Sequence, residues 1–177
     1  VNDTVGSYNR VVANGTFVNN LEILPSIGYN RSLELTDPNK RREHDLEPLI
    51  RLPKIDDPHW TNISQLGLTQ RTAFRTRLST DGEQTAIAPG YQVGEVEEAD
   101  GRRTYTYEMD DPIWPFFSFM SAHFEVAKDQ WNDVAIEVYY HPEHDYNIEP
   151  MIRGTKKSLA YFSEQFAPYQ YRQFRII

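Results

Sequence analysis

The sharpest alternation of apolar and polar side chains lies in Val134–Tyr140, where Val134, Ile136 and Val138 fall on one side and Ala135, Glu137 and Tyr139 on the other. A period of two is the signature of a strand with one face buried. Arg103–Met109 repeats it, with Tyr105, Tyr107 and Met109 on a common face. Ala86–Val96, interrupted by Pro89-Gly90, and Phe116–Val126 read as further extended runs. Thr72–Leu78 alternates poorly, but the Asp81-Gly82 step behind it has hairpin chemistry and predicts pairing across that corner; Asp100-Gly101 predicts a second turn. The period then changes. Ile148, Ile152, Thr155, Leu159, Phe162 and Phe166 recur at steps of four and three, which predicts an amphipathic helix. Asn147 is positioned to cap its start, Glu149 and Pro150 suit its first turn, and Ala167-Pro168 ends it.

These elements predict a mainly β fold, a curled antiparallel sheet or sandwich followed by one amphipathic helix and a strand. The change of period near Asp145 sets a candidate boundary, with a β-rich domain over 1–145 and the start of a second domain over 146–177. Between Thr36 and Trp60, Pro38, Pro48, Pro53 and Pro58 speak against helix and central strand, so this charged stretch is expected to be a solvated insertion.

A net charge of −8 over 177 residues has the wrong sign for non-specific attraction to nucleic acid, and no nucleic-acid partner is expected. The absence of Cys removes disulfides, thiolate nucleophiles and Cys-containing zinc sites. No stretch approaches a transmembrane apolar run, so a soluble domain is expected. The chain opens on Val1 and stops within the apolar Phe174-Arg175-Ile176-Ile177; both ends read as cut from a longer protein.

No standard catalytic signature occurs. The five histidines are His44, His59, His123, His141 and His144, and none forms the pair one helical turn apart that a helical zinc-protease motif needs. His141-Pro142-Glu143-His144-Asp145 is the one local cluster, with His141 and His144 as alternative metal ligands of a free-standing hydrolase and a polar turn as the competing reading. Asp110-Asp111 and Glu97-Glu98 are adjacent carboxylates that point apart on an extended chain and read as solvated hairpin ends. Trp114–Phe119 reads as buried core. The Asn-x-Ser/Thr triplets at Asn2, Asn14, Asn30 and Asn62 carry little information.

Asn19–Tyr29, Ala86–Gly90, the Tyr105–Met109 strand, Phe116–Phe119 and Val134–Tyr140 follow one another in an order that resembles the front end of the zinc aminopeptidases of the aminopeptidase N family, the gluzincins, in the branch fused behind a permease-like membrane region. Lys156–Phe162 and Arg172–Ile177 resemble the opening of that family's catalytic domain, whereas 36–67 is poorly matched. The resemblance implies a saddle-like β domain that packs on a catalytic domain absent from this sequence and shapes its cleft. It implies a peptide substrate for the parent protein, attachment to a bacterial membrane through other parts of the parent, and zinc in the absent catalytic domain. No cofactor and no catalytic residue are expected in these 177 residues. Aligning on Ile23-Leu24-Pro25 as a strand places the family's polar substrate-pocket pair near Asn14 and Thr16, and Thr16, a short uncharged hydroxyl, would hold a protonated amine weakly. The same stretch also reads as an Asn14-Gly15 turn at a strand edge. The alternative function is a β-sandwich that binds a peptide or partner within a transporter-associated protein lacking peptidase activity.

Overall fold

The computed structural model describes residues 10–12, 15–25, 33–49, 54, 56–58 and 71–177. Among them are ten strands and three helices. Strands β1 (Arg10–Val12), β2 (Gly15–Asn19), β4 (Thr85–Ile87) and β7 (Ser118–Ala122) form an antiparallel sheet in the order β1-β2-β7-β4. A second antiparallel sheet, β3-β6-β5, is built from β3 (Arg75–Thr80), β5 (Tyr91–Glu97) and β6 (Arg103–Glu108). The third has the order β10-β9-β8, from β8 (Glu125–Trp131), β9 (Val134–Tyr140) and β10 (Gln173–Ile176). Helix α1 is Asn20–Ile23, α2 is Pro38–Glu43 and α3 is Ile148–Gln165. The chain is mainly β, with a long amphipathic helix and a final strand, as its pattern predicts.

The first two sheets meet through the tyrosines of β6. Tyr105 and Tyr107 are almost completely buried with Ala86 and Ala88, and Phe74, Leu78 and Phe119 pack around them. Each ring carries a hydroxyl that must be satisfied once it is dry. Tyr107 donates to the Ala86 carbonyl at 2.8 Å and Tyr105 to that of Gln84 at 3.2 Å. These two bonds lay β4 over the end of β6. They also explain why Asp81-Gly82 is a corner and not a hairpin. The turn is present, with the Gln84 amide donating to the Asp81 carbonyl at 3.0 Å, but β3 continues into the second sheet beside β6 while β4 joins β7 in the first. Strands that switch sheets at a bend are the usual way to close a sandwich edge.

The third sheet has its own core. Val134 and Ile136 of β9 bury against Leu159 of α3, with Trp131, Ile152, Tyr169 and Phe174 around them. β10 runs parallel to β9, pairing Gln173 with Ala135 and Ile176 with Val138, so β9-α3-β10 is a β-α-β crossover. A parallel neighbour requires such a connection, and α3 provides it. Residues 146–177 are therefore built onto the β8–β9 hairpin.

Several local readings change. Phe116–Val126 is not one strand: it breaks at His123-Phe124, sending β7 to the first sheet and β8 to the third, with the Phe124 ring edge-on to Tyr139 at 5.9 Å. The strand expected at Ile23-Leu24-Pro25 does not form: Leu21–Ile23 belong to α1, and Leu24, though extended, lies in no strand. Asn19 and Glu22 form a capping box that starts α1, because an Asn followed three residues later by Glu satisfies two orphan backbone donors. Pro38 initiates α2 behind Asp37, whose carboxylate accepts from the Asn39 and Lys40 amides; proline at the first helical position lacks only a donor that would be unsatisfied anyway. Asn147 makes no side-chain cap on α3. Within Trp114–Phe119, Phe117 packs edge-on against Phe74 and Phe119, whereas Phe116 stays 53% exposed. Pro53, His59 and Trp60 lie outside the described residues.

Burial pushes the Tyr107 hydroxyl up to about 12. An unfolded tyrosine loses its proton near 10, so the folded chain is fully stabilised below that pH and loses stability as pH climbs from about 10 to 12. Tyr107→Phe is expected to cost about 1–2 kcal/mol in urea denaturation at pH 7, because the Ala86 carbonyl loses its buried donor, and to flatten the alkaline loss of stability.

Candidate functional site

Two surfaces concentrate aromatic and charged side chains, and both are made by the C-terminal segment. The first lies where β10 meets the β5–β6 sheet. Pro89-Gly90 turns the chain into β5 with Gly90 at φ +92°, a backbone region that side chains disfavour. A Cβ there would also stand 2.6 Å from the Glu108 carbonyl oxygen. This close approach presents the Gly90 carbonyl to β10, where it accepts from Gln173 Nε2 at 2.7 Å and from the Arg175 guanidinium. Arg175 also lies over the Tyr107 ring, 5.4 Å from its centroid. Just ahead of β10, Arg172 stacks 3.7 Å over Tyr91 and donates its backbone amide to the Tyr91 hydroxyl at 3.3 Å. Its guanidinium forks onto Asp110, with both N–H to carboxylate distances at 3.2 Å. Around these contacts opens a groove of about 280 Å³, lined by Tyr91, Met109, Ile113, Tyr169, Tyr171 and Arg175 among others. Burial raises the Tyr169 hydroxyl above its ordinary pKa, and that hydroxyl donates to the Gln173 carbonyl at 3.2 Å.

The second surface is the outer face of α3. Its predicted stripe splits: Thr155 and Leu159 are buried, while Phe162 and Phe166 are 56% and 78% exposed. Those two rings lie 5.8 Å apart and Tyr161 packs edge-on to Phe162 at 5.4 Å, so the aromatic face is continuous. Beside it an apolar groove of about 360 Å³ runs between α3 and β10, with Leu159, Phe162, Ala167, Tyr169 and Phe174 in its walls. The helix is tied down at the other edge by Lys156 and Asp129 of β8, 2.6 Å apart, and the hydrogen bond from Lys156 holds the Asp129 carboxyl below the usual carboxylate range.

Thr16 lies half-buried on β2, opposite Ser121 of β7, which in turn faces Ala86 of β4. Ser121 Oγ and Thr80 Oγ1 both donate to Gln84 Oε1, at 2.9 and 3.1 Å, so the surroundings of this row are polar and uncharged. Asn14 lies outside the described residues. His141 and His144 come together in the turn after β9, ring centroids 5.3 Å apart, with the Glu143 amide donating to His141 Nδ1 at 3.2 Å. Among the described residues no group of three His, Asp or Glu side chains gathers as a metal site. Asp110, read as a solvated hairpin end, is the partner of Arg172, and Glu98 lies 3.8 Å from Arg77. The Arg172–Asp110 pair joins positions far apart in sequence, and no local spacing announces it.

No protein-family model and no curated protein sequence matches the chain. Among the described residues no helix is long and apolar enough to cross a membrane.

Gly90→Ala is expected to lower stability by at least about 2 kcal/mol in chemical denaturation, since it combines a disfavoured φ with a backbone clash. On α3, Leu159→Ala is expected to cost about 2–4 kcal/mol by opening a cavity, whereas Phe166→Ser stays within about 0.5 kcal/mol because the ring is already in water. Equal losses at the two positions would contradict this division of the helix.

Proposed function

We propose that the chain is the non-catalytic, β-rich N-terminal part of a membrane-linked zinc aminopeptidase-like protein, packing on the catalytic domain and shaping one side of its peptide cleft. The observation that carries this reading is the uncovered aromatic face of α3, with Tyr161, Phe162 and Phe166 in water beside an apolar groove. Contiguous exposed apolar surface of this kind marks a site of contact with another body. In this reading the face is the seat of the catalytic domain. Thr16, with Asn14, would border the substrate pocket as an uncharged hydrogen-bonding edge. In this reading the zinc belongs to the catalytic domain, and membrane attachment to other parts of the parent protein.

The test is the longer parent protein that this reading calls for, expressed with any coding sequence found beyond Ile177. The expected result is one zinc per chain by elemental analysis, release of p-nitroaniline from aminoacyl p-nitroanilides, and no such turnover by residues 1–177 alone. Within the longer protein, Phe162 and Phe166 are expected to be protected from solvent, so Phe166→Ser lowers its stability by about 2 kcal/mol or more where it leaves the short chain unchanged. A longer protein with neither zinc nor turnover would contradict the aminopeptidase reading and favour a partner-binding domain.

A further inference from the structure

The groove between β5–β6 and β10 has a composition that none of the preceding roles uses. Its walls include the rings of Tyr91, Tyr169 and Tyr171 with Met109 and Ile113, a lining that favours a flat apolar body. Its polar groups are mostly donors. The Tyr91 hydroxyl accepts from the Arg172 amide and keeps its own proton to give. Gln173 and Arg175 share the Gly90 carbonyl, and a guanidinium has five N–H groups, so Arg175 retains donors beyond that bond. Its charge is also uncompensated. Arg172 is neutralised by Asp110. Glu137, opposite Arg175 on β9, is engaged by Lys128 at 3.4 Å and by the Tyr139 hydroxyl at 2.9 Å. None of the ion pairs among the described residues includes Arg175. A half-buried cation beside aromatic walls attracts an anion more strongly than an exposed one, because less water screens it.

We propose that this groove is a binding site for a small carboxylate carried on an aromatic or aliphatic body, its carboxylate on Arg175 and its apolar part between the tyrosines. The volume, about 280 Å³, admits a ligand of roughly ten non-hydrogen atoms. Larger bodies would have to project past Tyr171, which is 40% exposed and forms the outer wall. The proposal stands apart from the aminopeptidase reading, since neither zinc nor a catalytic domain enters it.

Phenylacetate and its neutral isostere phenylacetamide test it directly, titrated into the 177-residue chain at low salt and followed by the NMR shifts of Tyr91, Gln173 and Arg175. The expected result is saturable shifts at these residues, with phenylacetate bound at least about tenfold more tightly than the amide and the ratio shrinking in high salt. Arg175→Gln keeps a donor for the Gly90 carbonyl but removes the charge, and brings the ratio to about one. Tyr171→Ala, which takes away an exposed wall and its edge-on contact with Tyr169 at 5.6 Å, weakens both ligands about threefold or more and leaves the ratio intact. If Arg175→Gln does not fold, the wild-type ratio and Tyr171→Ala decide. Equal affinities for acid and amide, shifts confined to other parts of the chain, or no saturable binding of either compound would overturn the assignment.

Discussion

The Gly90 carbonyl is the centre of the join between the two halves of the described structure, with the Arg172 contacts to Tyr91 and Asp110 beside it. It reaches β10 only because Gly90 adopts a left-handed conformation and lies against the backbone of Glu108. Gln173 and Arg175 then close on it from a strand whose other edge pairs with β9. The consequence extends in both directions. Toward the second sheet, Arg175 lies over the Tyr107 ring, and Tyr107 carries the first sheet through its bond to Ala86. Toward the third, β10 brings Phe174 to the Val134–Ile136–Leu159 core. The three sheets are linked in series through Tyr107 and Gly90, and a change at either position should be felt across that chain of contacts.

This arrangement separates what is finished from what is left open. The inward faces of β6 and β9 are covered, and no buried side-chain polar atom among the described residues lacks a partner. The outward face of α3 and the groove at β10 are different: one is apolar and uncovered, the other donor-rich and concave. Interiors that are fully satisfied leave such surfaces as the places where function resides. The first is large, aromatic and suited to a protein surface. The second is small and suited to a ligand. The aminopeptidase-like reading uses the first and is independent of the second.

Strand and helix identity was largely legible in the chain because it depends on short periods. Val134, Ile136 and Val138 alternate, and all three are buried; Tyr105 and Tyr107 likewise. The α3 stripe was legible up to Leu159 and misleading beyond it, since periodicity shows which residues share a face and not whether anything covers that face. Sheet membership was not legible. Asp81-Gly82 has hairpin chemistry, yet the tyrosine hydroxyls of β6 draw β4 away from β3, and that preference lies some 20 residues along the chain. The capping box of Asn19 and Glu22 is a local pattern, and it outweighs the strand expected at Ile23-Leu24-Pro25 by the resemblance. The groove at β10 was beyond sequence reasoning: Tyr91, Asp110 and Arg172 meet across 62 and 81 positions, and only the fold brings them together.

Native-state hydrogen exchange is the most direct probe of the joint at Gly90. With β10 anchored to both sheets, the amides of Arg103–Glu108 and those of Val134–Tyr140 are expected to share one opening free energy in wild-type chain and to separate into two in Gly90→Ala. Independent opening of the β8–β9–α3–β10 unit in the wild-type chain, with β3-β6-β5 remaining protected, would contradict it.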